Sequence, residues 1–262
     1  MGEPTVGYEV HDRVATVTID RQEKKGAMSF AVLEEFHGVL RQAGSDPDAA
    51  VVVLTGTPGS FCAGTDLADL NETPESERIG KGADASQARV PWPLVALPKP
   101  VIAAIDGPAV GMGAEFATQC DVRILSTRGR VAWNFARRGL VADTGAGTYL
   151  LPRLIGVTEA LRLLYSGDFL SADDALRLGF ASAVVAPEDL PAAARAEADR
   201  FLGSSPFSIA RMKQLVYEGL DASVGDHQAR TGRLLQECFH SEDHAEGVAS
   251  FLERREPRFT GR

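Results

Sequence analysis

Two glycine-bearing segments hold the residues best suited to chemistry in this 262-residue sequence. The first is Gly59-Ser60-Phe61-Cys62-Ala63-Gly64-Thr65-Asp66-Leu67, which follows a Val-rich run at 51–54. The second is Asp106-Gly107-Pro108-Ala109-Val110-Gly111-Met112-Gly113-Ala114-Glu115, which follows an apolar run at 101–105. Glycine lets a chain take positive φ and pass close to a ligand. A helix beginning near Gly113 leaves its first amides unpaired and pointing outward. Two such N–H groups, one from each turn, can form an oxyanion hole, a pair of donors for an oxygen that gains negative charge during a reaction. The same glycines also suit plain turns and close packing, and spacing alone does not choose between the two. Neither segment is a phosphate loop or a dinucleotide fingerprint, and the sequence has no Gly-x-Ser-x-Gly elbow and no His-Glu-x-x-His zinc helix. The five histidines (His11, His37, His227, His240, His244) lie outside both segments and take no catalytic role.

The elements around these segments follow from hydrophobic period. Val6–Val10 and Val14–Ile19 alternate apolar and polar side chains about a His11-Asp12-Arg13 turn, which predicts a hairpin. From Ser29 to about Ala43, Val32, Leu33, Phe36, Val39 and Leu40 form one helical stripe that Ser29 can cap. The runs 50–55 and 101–105 read as strands buried on both faces, so strands alternating with helices predict an α/β fold with mainly parallel pairing. Helical spacing marks 158–166, 171–178 with a Ser171-x-x-Asp174 capping pattern, 187–202, 206–220 and 225–239. The polar segment Asn71–Arg89 reads as a loop.

Composition narrows the function. The sequence carries 27 Lys and Arg against 36 Asp and Glu, a formal net charge of −9, which repels phosphate backbones and argues against nucleic acid as a partner. Cys62, Cys120 and Cys238 are odd in number and far apart, which suggests neither a disulfide framework nor a zinc site and fits a reducing compartment. With no apolar run of about 18 residues, no membrane partner is expected, and a cytoplasmic location is.

The two segments, together with Gly139-Leu140-Val141-Ala142-Asp143-Thr144-Gly145 and the ending Glu246-Gly247-Val248-Ala249-Ser250-Phe251-Leu252-Glu253-Arg254-Arg255, resemble the crotonase, or enoyl-CoA hydratase/isomerase, superfamily in type and order. The resemblance runs from about Val6 to Phe259. It implies a spiral of ββα repeats over 1–200, then a helical C-terminal region over 201–262 that forms homotrimers, often paired as hexamers. It implies acyl-CoA thioester substrates, with coenzyme A present only as part of the substrate and no further cofactor or metal.

Carried over by residue, the resemblance puts the oxyanion hole at the backbone amides of Thr65 and Met112. Family members commonly have glycine where Met112 stands, so this side chain must turn away from the thioester or narrow the pocket. Glu115 matches the first of the two glutamates in the hydratase pattern. The second position holds Phe135, which cannot carry protons, so a two-glutamate water addition does not follow. Asp143 matches an aspartate of isomerase branches, and the implied acid–base pair is Glu115 with Asp143. Taken alone, Glu115 suits the exposed first turn of a helix, where the dipole favours a negative charge, and Asp143 suits an N-cap. Lys24, Lys25, Ala63, Asp66, Leu67, Phe251 and Arg254 match positions along the CoA path, with Asp66 fixing its loop. Phe135 and Trp133 would line the acyl pocket, Trp92 is a further candidate, and Asp121 reads as structural.

The expected activity is therefore isomerisation or hydration of an enoyl-CoA, with isomerisation favoured. A hydrolase or dehalogenase that uses Asp143 as nucleophile is an alternative within the superfamily. A protein that binds acyl-CoA without turning it over is an alternative of another class.

Overall fold

A computed structural model describes residues 5–73 and 92–262. The chain opens on β1 (Val6–His11) and β2 (Val14–Ile19), the expected hairpin, whose turn holds Asp12 and Arg13 at positive φ. Helix α1 (Phe30–Ser45) follows, with the Ser29 side chain accepting from the Val32 N–H as its cap. Then come β3 (Val51–Gly56) and α2 (Leu67–Glu72). Of the polar loop read over 71–89, Asn71 and Glu72 end α2, and 74–89 lie outside the described residues.

The central part contains α3 (Pro93–Ala96), β4 (Val101–Ile105), β5 (Pro108–Val110), α4 (Met112–Gln119), β6 (Val122–Ser126) and β7 (Arg130–Ala132). It continues through α5 (Ala146–Tyr149), α6 (Leu151–Ile155), α7 (Val157–Ser166), β8 (Leu170–Ser171), α8 (Ala172–Arg177) and β9 (Ala183–Val185). The chain ends in α9 (Leu190–Leu202), α10 (Pro206–Glu218), α11 (Val224–Phe239) and α12 (Glu242–Glu253).

The larger sheet has the order β1-β2-β3-β4-β6-β9, parallel except for the opening hairpin. A smaller sheet has the order β5-β7-β8. An isolated bridge between Cys62 and Ala109 places the turn after β3 beside β5. Three successive turns therefore repeat one plan: a strand in the large sheet, an extended piece beside the small one, then a helix.

The side-chain period of two explains why 51–54 of β3 and the whole of β4 are apolar. Val52, Leu54, Val101, Ala103 and Ile105 face one core with Phe36 and Leu40 of α1. Their neighbours Val51, Val53, Ile102 and Ala104 face a second core closed by Leu190, Ala194 and Ala198 of α9. Both faces are dry, so alternation disappears from the sequence.

The C-terminal helices are tied back through one acidic residue. Asp121 accepts from the Val101 N–H (2.7 Å), from Lys213 Nζ (2.8 Å) and from the Tyr217 hydroxyl (3.0 Å), so α10 is pinned to the start of β4. The structural reading of Asp121 agrees with this geometry. Tyr217→Phe removes one of the three donors and should cost about 1 kcal/mol in urea unfolding, the usual net worth of one hydrogen bond.

Candidate active site

The first glycine segment is held in place by the stretch that precedes α1. Lys25 O accepts from the Ala63 N–H (3.0 Å) and from Ser60 Oγ (2.7 Å), the Met28 N–H donates to Gly64 O (2.8 Å), and the Asp66 N–H donates to Met28 O (2.8 Å). That pattern uses the Ala63 and Asp66 amides but not that of Thr65. The second segment is held as firmly, with the Gly111 N–H bonded to Ala132 O (2.9 Å) and the Val110 N–H to Cys62 O (2.9 Å). Met112 is the first residue of α4, where an amide has no intrahelical partner. Among the described residues, neither the Thr65 nor the Met112 N–H has an acceptor.

Gly64 shows how close the two turns are. Its φ is +93°, and a Cβ built on it would fall 2.6 Å from Val110 O and 3.5 Å from Met112 N. Only glycine lets the first turn lie against the second at this distance. The Met112 side chain is partly buried and packs against the main core.

Glu115 lies one turn into α4 and is fully buried, so the exposed helix-start reading does not hold. Its carboxyl accepts from Thr144 Oγ1 (2.5 Å) at Oε2 and from the Gly147 N–H at both oxygens (2.9 and 3.1 Å). A side chain at Gly147 would collide with Glu115 Oε1 and with the Trp133 ring, so this glycine admits the carboxyl. Burial pushes the Glu115 pKa from 4.5 up to about 7, the donors from Thr144 and Gly147 oppose the rise, and the nearby Asp143 charge adds to it.

Asp143 is exposed at the mouth of the site, and its carboxylate accepts from the Thr144 N–H (2.8 Å). It does not cap a helix, because α5 begins after Gly145 without a side-chain cap. One side of the residue is open, yet enough protein surrounds the carboxyl that desolvation raises its pKa. Its charge raises the pKa of Glu115 and, less than burial does, that of the Cys62 thiol. Trp92 supports this segment, its indole N–H donating to Thr144 O (2.9 Å) and its ring packing on Tyr149.

The remaining expected residues are spread more widely. Phe135 is 9% exposed, and its Cζ lies 3.9 Å from where a Cβ on Gly111 would be, so the ring borders the second turn. Trp133 is wholly buried, bonded through its indole to Thr118 Oγ1 (3.2 Å) and set edge-on to Phe180, so it forms the wall behind Glu115. Asp66 is buried and caps α2 through the Ala68 N–H while binding Arg21 Nη1 (3.0 Å). Burial raises its carboxyl, but the charge of Lys24 and the bonds from Asp69, Ala68 and Arg21 outweigh it, and the net pKa is below the ordinary value.

Lys24, Lys25 and Leu67 are exposed, and Ala63 is partly buried between them. Phe251 is 83% exposed on α12 and borders a hollow with Cys238, Val248, Leu252 and Phe259. Arg254 is exposed just past the end of that helix. Residue-type reasoning did not single out Thr144, Gly147 or Arg21. The one signal for the first two was the Thr144-Gly145-Ala146-Gly147 run itself, which reads as an ordinary turn before a helix.

Comparison with known proteins agrees with this architecture. Residues 9–262 match the family described as enoyl-CoA hydratase/isomerase. A short-chain-enoyl-CoA hydratase of Clostridium acetobutylicum is 32% identical over 250 residues, 94% of each chain. An (E)-benzylidenesuccinyl-CoA hydratase of Thauera aromatica is 34% identical over 98% of this chain and 99% of its own. The crystal structure of an enoyl-CoA hydratase from Mycobacterium tuberculosis superimposes with a TM-score of 0.89 at 32% identity, covering 99% of this chain and 100% of that one. The chain is a member of the enoyl-CoA hydratase/isomerase family, with that family's crotonase fold and helical C-terminal region.

Proposed function

We propose that this enzyme moves a double bond within an enoyl-CoA by proton transfer. In this reading the Thr65 and Met112 amides hold the thioester oxygen, and Glu115 and Asp143 carry the proton. The observation that carries the proposal is that two closely packed turns each leave one amide, Thr65 and Met112, without an acceptor among the described residues, with a buried carboxyl one helical turn beyond Met112.

Removing a proton from the carbon beside a thioester puts negative charge on the carbonyl oxygen. Two preorganised donors stabilise that charge where it forms, each worth roughly 2.7–4 kcal/mol. The ionised Glu115 takes the proton, and a pKa near 7 suits a group that must both accept it and return it. Asp143, at the mouth, receives that proton from Glu115 and delivers it further along the acyl chain, so both carboxyls are ionised again at the end of the turnover. The path for coenzyme A runs over Lys24, Lys25, Ala63, Asp66 and Leu67, and Phe251 and Arg254 reach the far end of a bound CoA from the last helix. We place Phe135 against the acyl chain, where it offers bulk and no proton.

A second reading, hydration of a 2-enoyl-CoA, is favoured by the names of the relatives, which are hydratases. It requires Glu115 and Asp143 to activate water without a second glutamate. A homotrimer or hexamer fits either reading and is tested by light scattering.

The deciding assay measures 2-enoyl, 3-enoyl and dienoyl CoA esters with the wild-type enzyme and Asp143→Asn. The expected result is isomerisation of a 3-enoyl or dienoyl ester faster than hydration of a 2-enoyl ester, with a loss on the order of a hundredfold in Asp143→Asn. Faster hydration by the wild type selects the second reading, and full activity of Asp143→Asn removes Asp143 from the proton path. Because only ionised Glu115 accepts a proton, kcat/KM should rise with pH through about 7.

A further inference from the structure

Gln119 is fully buried on α4, one turn beyond Glu115, and its side chain is only half used. Its Nε2 donates to Thr144 Oγ1 (3.4 Å), whereas Oε1 has no partner among the described residues. Thr144 Oγ1 is the same atom that meets Glu115 Oε2, and it also accepts from the Ala146 N–H (3.3 Å). A hydroxyl has one proton to give and two lone pairs to fill. With Gln119 and Ala146 both donating to it, the Thr144 hydroxyl has its single proton directed at Glu115.

We propose that Gln119 is a positioning residue which, through Thr144, holds Glu115 in both of its protonation states by reversing the direction of a three-residue hydrogen-bond chain. While Glu115 is ionised, the chain runs from the Gln119 amide N–H to Thr144 to the carboxylate. Once Glu115 has taken a proton, its Oε2–H donates to Thr144 Oγ1, and the Thr144 hydroxyl needs a new acceptor. A half-turn of the Gln119 amide brings Oε1 to the place of Nε2 and supplies that acceptor. The half-turn breaks no bond at Oε1, because that atom has none to break. No proton leaves the chain. The covalent change is confined to the proton transfer, in which the substrate C–H bond breaks, its electron pair stays with the enolate and an O–H bond forms on Glu115, while the Thr144 proton only swings from Glu115 to Gln119.

Other groups around α4 do not supply this acceptor. Asp143, before α5, is the residue whose charge Glu115 feels. Cys62, under the first turn, and Cys120, at the end of α4, are thiols that burial pushes up to about 12 and keeps neutral. Tyr149 on α5 and Arg153 on α6 are stacked on one another, and Tyr149 also meets Trp92.

Loss of Gln119 should therefore fall unequally on the two states. An ionised Glu115 leaves only a lone pair of Thr144 unfilled, whereas a protonated Glu115 leaves a buried O–H without an acceptor, the costlier defect.

The test titrates Glu115 directly by carbon NMR of Glu-labelled enzyme, with Glu115→Gln identifying the resonance. Gln119→Met should lower the pKa by about 0.5–1 unit. Gln119→Leu serves the same purpose if the methionine does not pack. Thr144→Val should raise the pKa by removing a donor to the carboxylate, and Thr144→Ser should titrate as wild type. With Thr144→Val present, the Gln119 substitution should shift nothing further. An unmoved pKa in the Gln119 variants, or an equal shift in the Thr144→Val background, overturns the proposal. The inference rests on Glu115 as the proton acceptor, but this readout does not need turnover. A pKa that moves while the pH profile of kcat/KM stays in place would keep the hydrogen-bond chain and reject Glu115 as the base.

Discussion

Glu115→Gln should lower kcat by about a hundred- to ten-thousand-fold, the usual contribution of a positioned acid or base, while making the folded enzyme more stable above pH 7. The two effects have one cause. Burial lifts the Glu115 pKa from 4.5 to about 7, so the folded state holds its proton more tightly than the unfolded chain does. The stability this contributes is fully present below pH 4.5 and is lost as the pH rises through about 7, because the charged form must then sit in a dry pocket. At 1.36 kcal/mol per unit, the cost at pH 8 is on the order of 3 kcal/mol.

Glutamine has nearly the same shape, carries no charge and mimics the protonated carboxyl. It can accept from the Gly147 N–H and donate to Thr144 Oγ1, and the Thr144 hydroxyl then turns toward Gln119 as it does for the protonated carboxyl. Urea unfolding at pH 8 should favour the variant over the wild type, and the gap should close as the pH falls toward 5. A variant that loses both turnover and stability at pH 8 would show that Glu115 is a structural anchor and not a base.

The same residue marks the boundary between what the sequence makes legible and what it does not. The hairpin, α1, β3, β4 and most of the later helices can be read because each has a length and period of its own. Ser29 before α1 and Ser171 before α8 are caps visible as local patterns, and both accept the expected amides. Strands β7, β8 and β9 have two or three residues, too few to show a period, and they exist because longer strands are already in place beside them. The short helices α5 and α6 are equally silent.

For the site, local rules placed the glycine turns correctly and misjudged both carboxylates. A glutamate in the first turn of a helix is ordinarily solvated. Here it is buried because Thr144 and Gly147, about thirty residues later, fold over it and supply its donors. Asp143 looks like a cap, yet the helix after it starts two residues too late for its side chain to reach. Long-range contacts of this sort leave no mark on spacing. The pairing of Glu115 with Asp143 is what the resemblance to a family implies, where the residues alone left it open.

Gly64→Ala should reduce kcat by about 10²–10³, the loss expected when one oxyanion donor is taken from its place. Gly64 has φ of +93°, and an added methyl would stand 2.6 Å from Val110 O, well inside contact distance. Relief comes only if the first turn backs away from the second, which moves the Thr65 amide from the place the proposal gives it beside Met112. The ground-state thioester carries little charge on its oxygen, so KM should change far less than kcat. The strained backbone also costs about 1–3 kcal/mol of stability, and a loss of fold could pass for a loss of chemistry.

Gly59→Ala separates the two. Gly59 has nearly the same φ, +86°, but an added methyl there meets nothing within 4 Å. Its substitution carries the strain without moving the amides, so it should lower stability in urea and leave kcat near wild type. Equal losses of turnover in the two variants would mean that backbone strain, and not the proposed pairing of the Thr65 and Met112 amides, explains the result.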